Sequence, residues 1–161
     1  MSNQHETVDV QYAMAADGIP GEAAIRQWVS LALAEQEKQA ELTVRIVDEA
    51  EITALNHQYR GKDGPTNVLS FPYEGMSGVA TGLLGDIVIC APVVVSEAIA
   101  QHKSLDAHWA HIVVHGVLHL LGYDHQHDDH AHQMEAREAE LLARLGYENP
   151  YECESAFLCT Q

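Results

Sequence analysis

Three histidines in the second half of the chain have the types and spacing of a metal site. His115 and His119 are four residues apart, and His125 follows three residues after Gly122. Residues four apart on a helix share one face, with Cβ atoms about 5–6 Å apart, so two imidazoles can bind one ion at about 2.0–2.1 Å per Zn–N bond. Gly122 permits a sharp reversal after the helix, which would bring His125 back to the same ion. The spacing predicts a metal site with His115, His119 and His125 as ligands.

Three protein ligands leave a fourth coordination position for water or substrate, which is typical of catalytic rather than structural zinc. We therefore predict one Zn²⁺ per chain, although three imidazoles also suit copper, nickel or iron. His111 and His115 form a second pair at the same spacing. This pair lacks the glycine turn and a third ligand, so we rank it below the first. We expect His108 and His111 to be packed side chains or to support the metal ligands from behind, and we expect His127, His130 and His132 to lie on a solvated loop and helix start.

The spacing H-x-x-x-H-x-x-G-x-x-H is that of the extended zincin motif, with one difference. Metallopeptidases carry glutamate directly after the first histidine as the general base. This chain has Gly116 at that position. Peptide hydrolysis would lack its usual proton acceptor, so a peptidase is an alternative of lower rank.

Hydrophobic periodicity and turn residues predict the elements that position these histidines. The order β-α-β-α-β-β-α-α-α predicts an α/β fold, a single compact domain with a small mixed four-stranded sheet packed by about five helices. We place this domain at 1–152 and a loosely attached tail at 153–161. Predicted strands cover 8–13, 42–46, 67–73 and 84–90, and predicted helices cover 20 to about 38, 49 to about 59, 92 to about 102, 105–121 and about 128–145. Asp48 and Ser104 are predicted to cap the helices that follow them.

Composition narrows the function classes. Eight Lys and Arg against 24 Asp and Glu give a formal charge of −16, which argues against a broad basic surface for nucleic acid. No positive region followed by an apolar stretch opens the chain, so we expect a cytoplasmic protein. Three cysteines cannot all pair within the chain, and we expect free thiols at Cys90, Cys153 and Cys159.

Several segments resemble the YbeY family of endoribonucleases and ribosomal RNA maturation factors. They are HGVLHLLGYDH at 115–125, YRGKDGPTNVLSFP at 59–72, LLGDIVIC at 83–90, HWAH at 108–111 and LGYENPY at 145–151. The resemblance implies a metal-dependent, single-strand-specific endoribonuclease in small-subunit (16S) rRNA 3′-end maturation and ribosome quality control. It implies single-stranded rRNA and ribosome or small-subunit assembly proteins as partners, with neither a membrane nor DNA.

The resemblance also assigns residues. It places the family's three histidines on His115, His119 and His125 and its functionally important arginine on Arg60. Taken alone, Arg60 suits either a helix C-terminus or a phosphate, and the resemblance favours a catalytic or substrate-binding role. Many members have Asp where this chain has Asn67, so we do not expect an essential acid there.

Other polar residues near these motifs keep two interpretations each. Asp124 would orient an imidazole or cap the loop after the helix. Asp86 lies in an apolar strand, where we expect a structural salt bridge rather than a cleft-lining carboxylate. Ser70 can face the site but has no triad context. Lys62 is a solvated loop charge or a phosphate contact.

Two further functions stay open beside the nuclease. One is a metallohydrolase or peptidase on the zincin-like site, and the other is a largely non-catalytic zinc-binding ribosome assembly factor. The acidic surface fits docking on protein partners. The general base and the attacking group, water or the 2′-hydroxyl of the RNA, are not indicated by the residues.

Overall fold

The described residues form four strands and five helices, in the order that the sequence predicts. In the computed structural model, the described residues are 6–15, 18–34, 40–72, 83–122 and 128–150. The elements are β1 (Glu6–Tyr12), α1 (Glu22–Ala32), β2 (Ala40–Val47), α2 (Glu49–Arg60), β3 (Val68–Pro72), β4 (Leu83–Cys90), α3 (Ala91–Ala100), α4 (Leu105–Leu120) and α5 (Asp128–Arg144).

The strands form one mixed sheet in the order β1-β2-β4-β3, which confirms the predicted α/β fold. β1, β2 and β4 are parallel, and β3 pairs antiparallel with β4 at the edge of the sheet. In β2, the side chains of Leu42, Val44 and Ile46 are buried, whereas those of Thr43 and Arg45 are partly exposed. This alternation places one face of the sheet against the main core.

The helix that carries His115 and His119 lies inside that core. The Ser104 hydroxyl caps α4 by accepting a hydrogen bond from the Ala107 N–H at 3.1 Å, as the sequence predicts. Ten of the sixteen residues of α4 are buried, so the helix is held on most of its sides. Its apolar side chains pack with α1 and the sheet in one cluster that includes Trp28, Ile87 and Val113.

The other face of the sheet is covered in part by α2. The Asp48 carboxylate caps this helix by accepting from the Glu51 N–H at 3.0 Å, and Gly61 ends it with a left-handed φ of 66°. Beneath α2 lies a smaller apolar cluster formed by Val47, Ile52, Leu69, Val88 and Cys90. Cys90 is a buried free thiol, while Cys153 and Cys159 lie outside the described residues.

The predicted extent of α1 is wrong at its C-terminus. We expected a helix to Lys38, but α1 ends at Ala32. The N–H groups of Leu33 and Ala34 each reach a carbonyl three residues back, at 3.2 Å, which tightens the last turn and closes the helix. The side chains of Leu33 and Ala32 are buried at this end, so packing fixes the exit of the chain.

None of the helices within the described ranges is long and apolar enough to cross a membrane. The predicted tail at 153–161 lies outside the described residues.

Candidate metal centre

α4 brings two of the three predicted ligands together. The rings of His115 and His119 have centroids 4.7 Å apart at an interplanar angle of 77°, and both side chains are half-buried. The helix ends as predicted, with Gly122 at a φ of 108°, where a side chain would be strained. His125 and Asp124 lie outside the described residues.

A buried carboxylate from another helix holds the first of these histidines. Glu138 of α5 is 0% exposed. Its Oε2 atom lies 2.6 Å from His115 Nδ1, and its Oε1 atom lies 2.8 Å from His111 Nε2. One carboxylate therefore fixes the positions of two imidazole rings on α4.

The charge state of Glu138 decides which ring nitrogens of His111 and His115 carry protons. Burial alone would raise the pKa of this carboxyl group, but hydrogen bonds from His111 and His115 outweigh burial and lower the pKa to about 2. An ionised carboxylate only accepts hydrogen bonds, so His115 donates through its Nδ1–H and His111 through its Nε2–H. In the neutral ring of His115, Nε2 is then the nitrogen with the lone pair that a metal ion needs. This is the carboxylate–histidine arrangement found behind many metal ligands.

The same three side chains could also bind a metal ion directly. The ligand atoms of His111, His115 and Glu138 all lie within 4.8 Å of one another. Two ligands of one tetrahedral zinc are about 3.3 Å apart, given bonds of about 2.0–2.1 Å. The observed separations of 2.6 and 2.8 Å between carboxylate and ring nitrogens are shorter and match charge-assisted hydrogen bonds. We therefore interpret Glu138 as a support for His115 rather than a ligand.

Gly116 shows why a zincin-type base is excluded from this helix. A Cβ atom added to Gly116 would lie 2.9 Å from Ile87 Cγ2 on β4. The position after His115 thus faces the sheet at a distance where an added side chain would have to displace Ile87. A glutamate there would meet the buried core. The peptidase alternative loses its base for a packing reason as well as a compositional one.

A second carboxylate–histidine pair lies near the start of α4. Glu97 Oε1 of α3 is 2.8 Å from Nε2 of the buried His108. Asn67 Nδ2 donates to both Glu97 oxygens, at 3.1 and 3.3 Å. Burial raises the pKa of Glu97, but these hydrogen bonds outweigh burial and lower it. Asn67 therefore binds this carboxylate, and His108 is a packed residue as predicted.

The other predicted polar residues take different positions. Arg60 is the last residue of α2 and is exposed. Ser70 donates its hydroxyl hydrogen to the Gly116 carbonyl at 3.2 Å, which connects β3 to α4.

The prediction of a salt bridge for Asp86 is wrong. Its side chain is exposed on the sheet and has no cationic partner within 4.0 Å among the described residues, because Asp86 points away from the core that Ile87 enters.

Glu138 is the residue that sequence reasoning missed. Its signal is a charged residue within an apolar stripe, since Met134, Leu141 and Leu142 of the same helix face are all buried. A carboxylate on such a stripe needs a partner, because an unpaired buried charge is costly. His132, by contrast, is exposed near the start of α5, as predicted.

A mixed four-stranded sheet and a histidine pair backed by a buried carboxylate define an α/β domain with a candidate metal centre. Comparison with known proteins gives the family: this chain belongs to the endoribonuclease YbeY family, which matches residues 9–146. The family acts on RNA in rRNA processing, so RNA is the substrate class that membership implies.

A solved structure supports the fold independently. The solution structure of the protein TM1509 from Thermotoga maritima aligns with 93% of this chain and 99% of its own, with a TM-score of 0.57 and 23% sequence identity. At this identity the likeness concerns the fold alone.

Proposed function

We propose that this protein is a zinc-dependent, single-strand-specific endoribonuclease that acts in 16S rRNA 3′-end maturation and ribosome quality control in the cytoplasm. Its partners would be single-stranded rRNA and proteins of the ribosome or of small-subunit assembly. The observation that carries the proposal is the His115–His119 pair, with His115 held through Nδ1 by the buried Glu138.

The residues present fit a metal ion. His115, His119 and His125 would hold it, and Glu138 keeps His115 in the tautomer that offers Nε2 as a ligand. When bound there, such an ion would supply Lewis acidity towards a phosphoryl oxygen. Because α4 is buried on most sides, His115 and His119 are preorganised by the core.

Arg60 would bind the scissile phosphate. Its guanidinium is planar and always charged, and its two parallel N–H groups match phosphate oxygens. It is exposed at the end of α2, where the left-handed Gly61 turns the chain. No carboxylate of the described residues lies within 4.0 Å of the Arg60 guanidinium, so its charge is available for an anionic ligand.

The test is cleavage of single-stranded and duplex RNA by zinc-loaded protein, with metal content measured by mass spectrometry. We expect one zinc per chain, preference for the single strand, and loss of both zinc and cleavage in His115→Ala and His119→Ala. His132→Ala is the matched control, since this exposed histidine should change neither. Full cleavage by His115→Ala would refute the proposed site, and full cleavage by Arg60→Glu would refute the role of Arg60.

Two results would favour the alternatives. Robust cleavage of a peptide library would favour a peptidase. A metal-free variant that folds and still supports rRNA processing would favour a non-catalytic assembly factor. The product ends also distinguish mechanisms, because a 2′,3′-cyclic phosphate would assign the first attack to the RNA 2′-hydroxyl.

A further inference from the structure

An exposed tyrosine lies at the end of α2 with its ring held in place from behind. Tyr59 is 59% exposed, the most exposed aromatic side chain among the described residues. Its ring contacts that of Phe71 on β3 edge to face, with centroids 5.2 Å apart and an interplanar angle of 68°. Phe71 is half-buried over the smaller apolar cluster, so it anchors the pair. A large aromatic surface with a fixed orientation is thus presented to solvent.

Two cations follow this tyrosine in the chain, Arg60 directly and Lys62 three residues on. Arg60 and Lys62 are both exposed, and within the described ranges neither has a carboxylate within 4.0 Å. The other exposed or partly exposed arginines of the described residues do form ion pairs: Arg26 with Glu22, Arg45 with Glu51, and Arg137 and Arg144 with Glu140. In a chain of formal charge −16, this segment is therefore a local site for an anion.

The aromatic pair is linked to the candidate metal centre through β3. Phe71 directly follows Ser70, and the Ser70 hydroxyl donates to the carbonyl of Gly116 at 3.2 Å. Gly116 is the neighbour of His115 on α4. The edge strand β3 thus connects the tyrosine on one side of the sheet with the histidines on the other. A flexible strand could follow this edge, whereas a rigid duplex would need a broad basic surface that the chain lacks.

We propose that Tyr59, backed by Phe71, is a stacking platform for one unpaired RNA base, and that Arg60 and Lys62 bind the phosphates beside that base. Aromatic side chains with adjacent cations are the usual means of binding single strands without reading sequence. The proposal rests on the proposed function, because it assumes that the ligand is the single-stranded RNA substrate. It assigns preference for unpaired RNA to Tyr59, since a paired base has no face to offer.

The experiment measures binding to zinc-loaded protein of a single-stranded oligoribonucleotide that resists cleavage through 2′-O-methyl groups and phosphorothioate linkages. A 2-aminopurine base reports stacking by fluorescence quenching, and anisotropy gives the dissociation constant. We expect Tyr59→Ala to weaken binding about 5- to 150-fold, from roughly 1–3 kcal/mol per stacked base, and to reduce the quenching. Tyr59→Phe keeps the ring and should stay within about twofold.

Tyr12→Ala is the matched control, since Tyr12 is another exposed tyrosine, at 42%, on the far edge strand β1. This variant should bind the oligonucleotide like the unmodified protein.

The salt dependence of binding separates the phosphate contacts from the stacking contact. Arg60→Ala and Lys62→Ala should each reduce the slope of log K against log salt by about 0.7, whereas Tyr59→Ala should leave the slope unchanged.

The outcomes distinguish this proposal from the proposed function. If the protein cleaves RNA and Tyr59→Ala binds as tightly as the unmodified chain, the platform is refuted and the nuclease stands. If the protein cleaves no RNA but binds the oligonucleotide with the expected loss in Tyr59→Ala, the platform stands and the nuclease is refuted. Circular dichroism and thermal unfolding confirm that each variant is folded.

Discussion

Replacement of one buried carboxylate should weaken metal binding while leaving the fold intact. Glu138→Gln keeps the shape of the side chain but offers only one carbonyl oxygen to two donors, the Nδ1–H of His115 and the Nε2–H of His111. One ring must therefore either turn its N–H towards the amide NH₂ or change to the other tautomer, which moves its proton to the opposite ring nitrogen. A lost hydrogen bond to a charged group costs about 1.5–3 kcal/mol in the free energy of unfolding. Loss of such a support for a ligand lowers metal affinity about 10- to 100-fold.

Glu97→Gln is the matched control for this prediction. Glu97 also holds a buried histidine of α4, His108, at 2.8 Å, but that histidine is not a proposed ligand. We expect the control to lose stability as well, yet to bind zinc within about twofold of the unmodified protein. The dissociation constant is measured by competition with a chromophoric chelator. The visible spectrum of Co²⁺-loaded protein gives a second readout of ligand geometry.

Two results would refute the role of Glu138. Unchanged zinc affinity and an unchanged Co²⁺ spectrum in Glu138→Gln would show that His115 needs no support from the carboxylate. Equal loss of affinity in Glu138→Gln and Glu97→Gln would show that the effect follows general destabilisation of α4. Complete loss of zinc with a large spectral change would instead favour the arrangement in which Glu138 is itself a ligand.

Three further predictions concern the stability of the elements that support the candidate metal centre. Gly116→Ala should lower the free energy of unfolding by about 1–3 kcal/mol in urea titrations, because the new Cβ atom would lie 2.9 Å from Ile87 Cγ2. Asp48→Ala should cost about 1 kcal/mol in the same assay, since the Glu51 N–H at the start of α2 loses its acceptor. Glu97 has a lowered pKa in the folded chain, so its ionised form stabilises the fold above its usual pKa of 4.5, and this contribution is lost as pH falls through the folded pKa. Stability below about pH 4.5 should therefore decline less steeply in Glu97→Gln.

Each of these has its own control. Gly21→Ala adds a Cβ atom with nothing within 4 Å, so a cost equal to that of Gly116→Ala would contradict the packing argument. Asp9→Ala removes an exposed carboxylate that caps no helix, and it should be close to neutral. Glu41→Gln removes an exposed carboxylate of β2 and serves as the reference for the acid titration. An identical acid profile for Glu97→Gln and the unmodified chain would refute the pH argument.

The sequence was sufficient for features that depend on neighbours along the chain. Asp48, Ser104 and Gly122 act at helix ends as predicted, because a cap contacts residues within one turn. The His115–His119 pair follows from helical periodicity in the same way. The order of the elements along the chain also follows from periodicity and turn residues, whereas the strand order β1-β2-β4-β3 was not predicted.

Contacts between elements that are distant in the sequence were harder to predict. Glu138 is 23 residues from His115, and the register of α5 against α4 depends on packing that periodicity does not specify. Asp86 was expected to be buried because its neighbours are apolar, but strand alternation turns it outwards while Ile87 enters the core. The end of α1 was misjudged because the polar residues after Ala34 have helix-forming character, whereas packing at Leu33 ends the helix.

The position of α4 at the centre of the core has a consequence for amide hydrogen exchange. Amide hydrogens of a helix surrounded on most sides are released only when the whole domain opens, so those around His115 and His119 should be among the slowest to exchange. With zinc bound as proposed, each such opening would also have to release the ion, and free zinc at about 1,000 times its dissociation constant would add about 4.1 kcal/mol to the opening. Release of zinc and opening of the domain would then be coupled in one equilibrium. Addition of zinc would slow amide hydrogen exchange along α4 by a single common factor.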